Sequence, residues 1–349
     1  MNTQLKKKIN QCQYFGSNMK IGILTDLFKQ HLLYEKSCQT LNINYEIIDI
    51  CSDKWLENIQ RSLNCDGYLV RPMYDYKEQR EVYMERLYTI AKLYKKPIYP
   101  SYEELMLYEN KRNMSNWLIV HRFPHVKTHV FIKKLEAKEF FLHCNYPVVI
   151  KSNLGAGALG VEIVKNRHRA KKIINRIFGR LSPLFALGHP QNRKKWGFDI
   201  PVHGTAEKHV LLVQKYKKIK WEWRIIKIGN SFFGHQKLLK NQFASGSGII
   251  GWVSPPKDLL YLVKNICDTG NFYSMAVDIF ETDENQFFIN ELQSVFGSYL
   301  DYQMKINEIP GRYLFKDGDF VFEKGEFNQF GSCLLRVEHF MELLERKTL

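Results

Sequence analysis

The sequence predicts an α/β N-terminal domain followed by a β-rich remainder of α+β units. Strands and helices alternate from Lys20 to Ser101, short β runs dominate after Val126, and 349 residues with 45% hydrophobic and 14% aromatic content suffice for two or three globular cores. Lys20 to Thr25, K-I-G-I-L-T, reads as a buried strand. A helical stretch around Leu27 to Gln39 follows, then strands at Tyr45 to Ile50 and Gly67 to Val70. That alternation predicts βαβ units and a parallel sheet. Arg80 to Tyr94 reads as a further helix, and K-P-I-Y-P-S at Lys96 to Ser101 as a strand end with a proline turn. The first domain is therefore expected over 20–109, with 1–19 as a loose arm outside the fold.

Asn110 is a fitting N-cap for a helix to Val120, which opens a second unit over 110–213. Its strands are Thr128 to Phe131, Val148 to Lys151, Val161 to Val164 and Val210 to Gln214. The Pro-, Gly- and His-containing stretch 181–209 is too long for an ordinary connection, so an insertion or lid is expected there. The last unit, 214–349, begins with strands at Trp223 to Ile228 and Phe232 to Lys237 and a helix at Leu259 to Thr269. Two alternating runs follow, Ser274 to Phe280 and Phe287 to Leu292. The turn residues Asp317-Gly318 then mark a hairpin, and a helix near Leu334 to Arg346 ends the chain.

A net charge of +15 calls for anionic partners: nucleotide phosphates, nucleic acid, acidic glycans or a lipid surface. Lys165 to Arg180 spreads basic residues around a helix whose apolar stripe is Ile173, Ile174, Ile177 and Phe178, which reads as a solvated face and makes nucleic acid the runner-up. Seven cysteines without CxxC pairs or ligand-like spacing argue for reduced thiols, not a disulfide framework or zinc site. With no signal peptide and no membrane-spanning run, a soluble cytoplasmic protein is expected, and a homo-oligomer is compatible with the sequence.

Tyr146 to Val161, Y-P-V-V-I-K-S-N-L-G-A-G-A-L-G-V, ends a strand on Lys151 and then supplies Gly155, Gly157 and Gly160. Such a loop lets backbone amides approach an anion while the lysine adds a fixed charge; a glycine-rich hairpin turn is the alternative. It is neither a Walker loop nor a dinucleotide fingerprint. In S-M-A-V-D-I-F-E-T-D-E-N-Q-F-F-I-N-E-L-Q, a turn centred between Glu284 and Asn285 puts Asp278 opposite Glu291, with Gln293 on the same face. Two facing carboxylates repel unless a cation intervenes, which points to Mg²⁺; pairing with one of the many lysines is the alternative. L-V-Q-K-Y-K-K from Leu212, followed by W-E-W-R, offers backbone groups for an adenine edge, with Glu222 near a ribose and Arg224 aimed at a terminal phosphate, or a surface ion pair. Gln242 to Trp252, Q-F-A-S-G-S-G-I-I-G-W, shapes a loop over a second substrate or is an ordinary flexible turn.

The order of these features, through V-D-I-F and N-E-L-Q-S-V-F-G, resembles the ATP-grasp superfamily of carboxylate ligases over Lys20 to Ser298. The resemblance implies two α+β subdomains gripping ATP behind the α/β domain. It implies that Lys111 and Lys151 contact the nucleotide phosphates and that Gly155 to Gly160 is the mobile lid loop. Gln214, Lys215 and Tyr216 match the adenine hinge and Glu222 the ribose-side acid. Arg224 matches the arginine that stabilises the transferring phosphate, Lys237 stands where relatives often carry arginine, and Asp278 and Glu291 match the magnesium carboxylates. Three positions depart from the pattern: Lys215 replaces a frequent glutamate, Gln293 an asparagine, and Lys237 lacks the bidentate grip of arginine.

The implied chemistry is ATP-driven activation of a carboxylate to an acyl phosphate, attack by an amine, and release of ADP and phosphate. The N-E-L-Q-S-V-F-G run with its tail is similar to ATP-grasp proteins of bacterial surface-polysaccharide synthesis, implying an acidic sugar or glycan carboxylate as substrate. A peptide or amino-acid ligase would share every ATP residue. A nucleotide-binding protein without ligase activity is a different class.

Overall fold

The computed structural model describes residues 19–74, 77–155, 160–179, 207–240 and 242–347. Residues 1–18 of the expected N-terminal arm, Gly157 and nearly all of the expected insertion lie outside the described residues. A four-stranded parallel sheet comes first: β1 (Lys20–Leu24), β2 (Asn44–Ile48), β3 (Gly67–Leu69) and β4 (Ile98–Tyr99), ordered β2-β1-β3-β4. Helices α1 (Leu32–Leu41), α2 (Trp55–Arg61) and α3 (Lys77–Tyr88, continued by a π turn Thr89–Leu93) connect them. The first helix starts five residues later than expected at Leu27. Asp26 explains the delay, because its carboxylate accepts from Phe28 N at 2.8 Å and His31 N at 2.9 Å and holds the chain in turns.

Three short helices have no counterpart in the sequence reading, α2 being the first. α4 (Tyr102–Leu107) carries a capping box, in which Glu104 N donates to Ser101 Oγ and Ser101 N donates to Glu104 Oε2. α5 (Lys111–Val120) has the expected Asn110 cap, whose Oδ1 accepts from Asn113 N at 3.3 Å. α6 (Lys134–His143) is the third omission.

The second sheet is antiparallel, with β5 (Thr128–Phe131), β6 (Val148–Lys151), β7 (Val161–Val164) and β8 (Leu211–Lys215) in the order β5-β8-β6-β7. Helix α7 (Arg167–Ile177) buries the expected Ile173, Ile174 and Ile177 against it, with Phe178 at its C-cap in the same core and Ala170 added to the stripe. The third sheet is the largest: β9 (Ile219–Ile228), β10 (Ser231–Lys237), β11 (Ile250–Gly251), β12 (Ser274–Thr282), β13 (Phe287–Gln293), β14 (Lys305–Ile306), β15 (Ile309–Lys316) and β16 (Asp319–Lys324). Its main path is β13-β12-β9-β10-β15-β14. Helix α8 (Lys257–Gly270) covers one face, where Leu259, Leu260 and Val263 pack with Trp223, Ile225, Val277 and Ile279. The last helix, α9 (Cys333–Glu345), leaves this unit. Its Leu334, Val337, Phe340 and Met341 share a core with Ile21, Ile23 and Tyr34 of the first domain.

Candidate active site

Alternation along β9 decides what faces the cleft. Trp223 and Ile225 enter the core under α8, so Glu222 and Arg224 point to the other face. Arg224 is in register with His235 on β10 and with Asp278 on β12, and Asp278 is in register with Glu291 on β13. One row, His235, Arg224, Asp278 and Glu291, therefore crosses four strands. Lys237 stands opposite Glu222 in the neighbouring row, and Gln293 lies two residues beyond Glu291.

A bulge refines this hairpin. Ile279 pairs with Ile289 and Asp278 with Glu291, so Asn290 is the extra residue. The bulge turns Asn290 towards the same side as Glu291, which strict alternation forbids. Its Nδ2 donates to Glu222 Oε2 at 2.8 Å and its Oδ1 accepts from Lys151 Nζ at 2.9 Å. Asn290 thus joins the second sheet to the third, and the sequence reading missed it.

Charges in the cleft are matched inside the protein. Arg224 donates from Nε to Asp278 Oδ1 at 2.8 Å and from Nη2 to Oδ2 at 2.9 Å. Lys237 Nζ donates to Asp278 Oδ2 at 2.5 Å and also to Glu222 Oε1. Burial alone would raise the Asp278 carboxyl, but Arg224 and Lys237 outweigh it and hold the group well below the usual carboxylate range. Glu222 moves the other way, raised by burial against the pull of Lys237. Lys111 Nζ donates to Gly155 O at 2.6 Å and lies 3.2 Å from Glu291 Oε1; burial opposes its charge, yet Glu291 and Glu109 raise it. Lys151 is pulled down to about 8 by desolvation, against Glu291 and with Lys111.

A cavity of about 260 Å³ lies between the second and third sheets. It brings together Lys111, Lys151, Gly155, Gln214, Lys215, Tyr216, Glu222 and Glu291 over an apolar wall of Val149, Val161, Ile163 and Phe280. Gly155 N donates to Glu109 Oε2 at 2.8 Å, so the start of the glycine loop is tied to the N-terminus of α5. Gly160, at φ 72°, occupies the left-handed region that suits glycine. Gln214 spends its amide on Thr128 Oγ1 at 2.9 Å. Glu222, expected near a ribose, lines this cavity with both oxygens engaged, Oε1 by Lys237 and Ser245 and Oε2 by Asn290.

A second cavity of about 300 Å³ shares Ser245 and Glu291 with the first and adds Arg224, Lys237, Asp278 and Gln293. Among the described residues no group of three or more His, Cys, Asp or Glu is placed to hold a metal ion by itself. Two carboxylates and an amide of hard oxygens, with further positions left to ligand oxygens, are the donor set Mg²⁺ accepts, so the residues fit that ion. Both carboxylates meet protein cations here, the pairing that the sequence had kept as the alternative. A third cavity of about 180 Å³ adjoins at Arg224, Lys237 and Gly246 and is formed by the Ala244 to Trp252 loop. No helix among the described residues is long and apolar enough to cross a membrane. The six described cysteines form no disulfide.

These three sheets and the cleft between the last two define the ATP-grasp fold. Solved structures agree. The ADP complex of an N5-carboxyaminoimidazole ribonucleotide synthetase superposes with a TM-score of 0.54 at 14% identity, over 83% of this chain and 71% of that one. The Aspergillus clavatus N5-carboxyaminoimidazole synthase, solved with ADP and 5-aminoimidazole ribonucleotide, gives 0.54 at 13% identity over 85% and 81%. A RimK domain ATP-grasp protein from Sphaerobacter thermophilus gives 0.50 at 15% identity over 79% and 91%. No family model and no curated protein matches the sequence.

Proposed function

We propose that this chain is an ATP-dependent carboxylate-amine ligase that releases ADP and phosphate. The convergence of Lys111, Lys151, the Gly155 turn, Arg224 and the Asp278/Glu291 pair on one cleft between two sheets carries the reading. Lys111 and Lys151 hold the nucleotide phosphates, the glycine loop covers them, and residues 214–216 border the base. Asp278 and Glu291, with Gln293, would hold Mg²⁺, which would supply positive charge against the nucleotide phosphates. Arg224 is aimed at the phosphoryl group in transit and Lys237 adds a point charge beside it. A substrate carboxylate oxygen attacks the γ-phosphorus and the bond to ADP breaks, giving an acyl phosphate. The amine then attacks the acyl carbon, phosphate leaves with the C–O bonding pair, and the amine loses a proton. Positioning and charge account for the step, so no nucleophilic side chain is required.

One neighbouring structure was solved with ADP and a small amine-bearing ribonucleotide, which supports small-molecule substrates here; the acyl donor we propose is a small-molecule or glycan carboxylate. The +15 charge suits an acidic substrate, and an acidic sugar or surface-polysaccharide precursor is the form of it we propose. ADP release measured over a panel of acids and amines tests the reading. Asp278→Asn and Glu291→Gln should each abolish turnover; unchanged turnover in a protein that binds ATP with Mg²⁺ would sink it.

A further inference from the structure

The cavity of about 180 Å³ next to Arg224 carries a side chain that the nucleotide reading leaves unused, His235. Its charged lining residues are Arg224 and Lys237, and no Asp or Glu lines it. Arg224 spends Nε and Nη2 on Asp278, which leaves its Nη1 hydrogens for a ligand. His235 is buried, 6% exposed, and shares the cross-strand row with Arg224. Its Nδ1 lies 2.8 Å from Gln303 O, which places the proton on Nδ1 and leaves Nε2 as an acceptor. No donor among the described residues meets Nε2. The carbonyl is itself anchored: Gln303 Nε2 donates to Asn328 Oδ1 at 2.9 Å, and Asn328 Nδ2 to Ser298 Oγ at 2.9 Å. Trp252 closes the wall, its ring 5.5 Å from the imidazole, with Tyr302 5.2 Å beyond. Burial, helped by Arg224, lowers the imidazole to about 4, so the ring is neutral at physiological pH.

We propose that this cavity binds a small carboxylic acid bearing an O–H or N–H donor, with its carboxylate on Arg224 and Lys237 and its donor on His235 Nε2, and that His235 selects for that donor. The inference rests on the ligase reading only in making this acid the acyl donor. A carboxylate matches the two cations. A buried acceptor left unmet penalises an acid lacking the donor more than a hydrogen bond rewards one that has it. The flat face of Trp252 favours a ring or compact body.

The test uses matched acids with and without the donor: lactate and 2-methoxypropanoate, mandelate and 2-methoxyphenylacetate, glucuronate and its 4-O-methyl ether. Their affinities are measured by NMR titration on the full chain, with and without Mg²⁺ and a non-hydrolysable ATP analogue. In at least one pair the hydroxy acid should bind about tenfold more tightly than its ether. His235→Phe should level that ratio. In the unaltered protein the His235 Nε2 ¹⁵N resonance should move on adding the hydroxy acid, a readout independent of how the variant folds. Equal binding within every pair, a ratio that survives His235→Phe, or a stationary Nε2 signal overturns the proposal. Calorimetry of the nucleotide analogue alone separates the two readings: failure of that arm with acid discrimination intact removes the ATP assignment and leaves this one standing.

Discussion

Lys151 offers a quantitative handle on the phosphate site. Its ammonium is drawn from the ordinary lysine value of 10.5 down to about 8, chiefly by desolvation at the end of β6 and next by Lys111, against the pull of Glu291. A bound polyphosphate favours the charged form, so binding raises this group and takes up a proton. Affinity should then follow the fraction of free protein with Lys151 charged. That fraction is about ten elevenths at pH 7 and about one eleventh at pH 9, so ADP affinity should fall about tenfold between them. Below pH 7 the lysine adds no slope, because it is charged in both states. Isothermal calorimetry at constant ionic strength reads the curve, and buffers of different ionisation enthalpy read the proton uptake. Lys151→Arg should bind without the alkaline loss. A flat affinity from pH 7 to 9, or one that rises, refutes the assignment of Lys151 to the phosphates.

Asp278→Asn leaves Arg224 and Lys237 buried against a neutral amide, and breaking a buried pair from one side costs about 3–5 kcal/mol. Denaturant midpoints measure it, and adding Lys237→Met should recover part of the loss. Because the Asp278 carboxyl lies below its unfolded value, its stabilisation is present above pH 4 or so and is lost as pH falls further; the Asn variant should show a shallower acid decline. Gly297→Ala would put a Cβ 2.8 Å from Gly331 O and 3.1 Å from Arg71 Nη2. Backbone there cannot step aside cheaply, so about 1–3 kcal/mol of stability should go, visible as a lower Tm, together with the shape of the acid cavity that Gly297 lines.

Local patterns were readable in the sequence wherever one element decides the outcome. The pairing of Asp278 with Glu291 was reached from a turn centred between Glu284 and Asn285. The pairs nearest the turn, Phe280 with Phe288 and Glu281 with Phe287, centre it on Glu284 instead, and the bulge restores the expected partner. Two offsets cancelled, and Asn290 was lost with them. His235 was within reach, since it lies two residues before Lys237 on one strand and so shares its face. The S-x-x-E box at Ser101 to Glu104 was also legible. Other contacts have no local signature. Arg71 Nη1 donates to Phe296 O at 3.0 Å and Arg336 Nη2 to Ser294 O at 2.8 Å, across separations of 225 and 42 residues. Only the packing of α9 on the first domain brings both guanidiniums beneath the loop that follows the site.

Charge neutrality links these observations to the mechanism. Every anionic group proposed to meet a metal ion is paired with a cation proposed to meet the substrates: Glu291 with Lys111, Asp278 with Arg224 and Lys237. Interior pairs of this kind cannot lose one partner without stranding the other in a poorly solvated cleft. A polyphosphate arriving alone would draw the lysines away from Asp278 and Glu291 and leave two carboxylates facing each other across the hairpin. A divalent cation arriving alone would strand Arg224 and Lys237 in the same way. Only the metal-nucleotide complex carries both signs, and it lets each protein charge exchange one partner for another. On the proposed reading, the internal pairing is therefore a selection for ATP and Mg²⁺ as a unit. Asn290 makes that exchange cooperative, because one amide holds both Lys151 of the second sheet and Glu222 of the third.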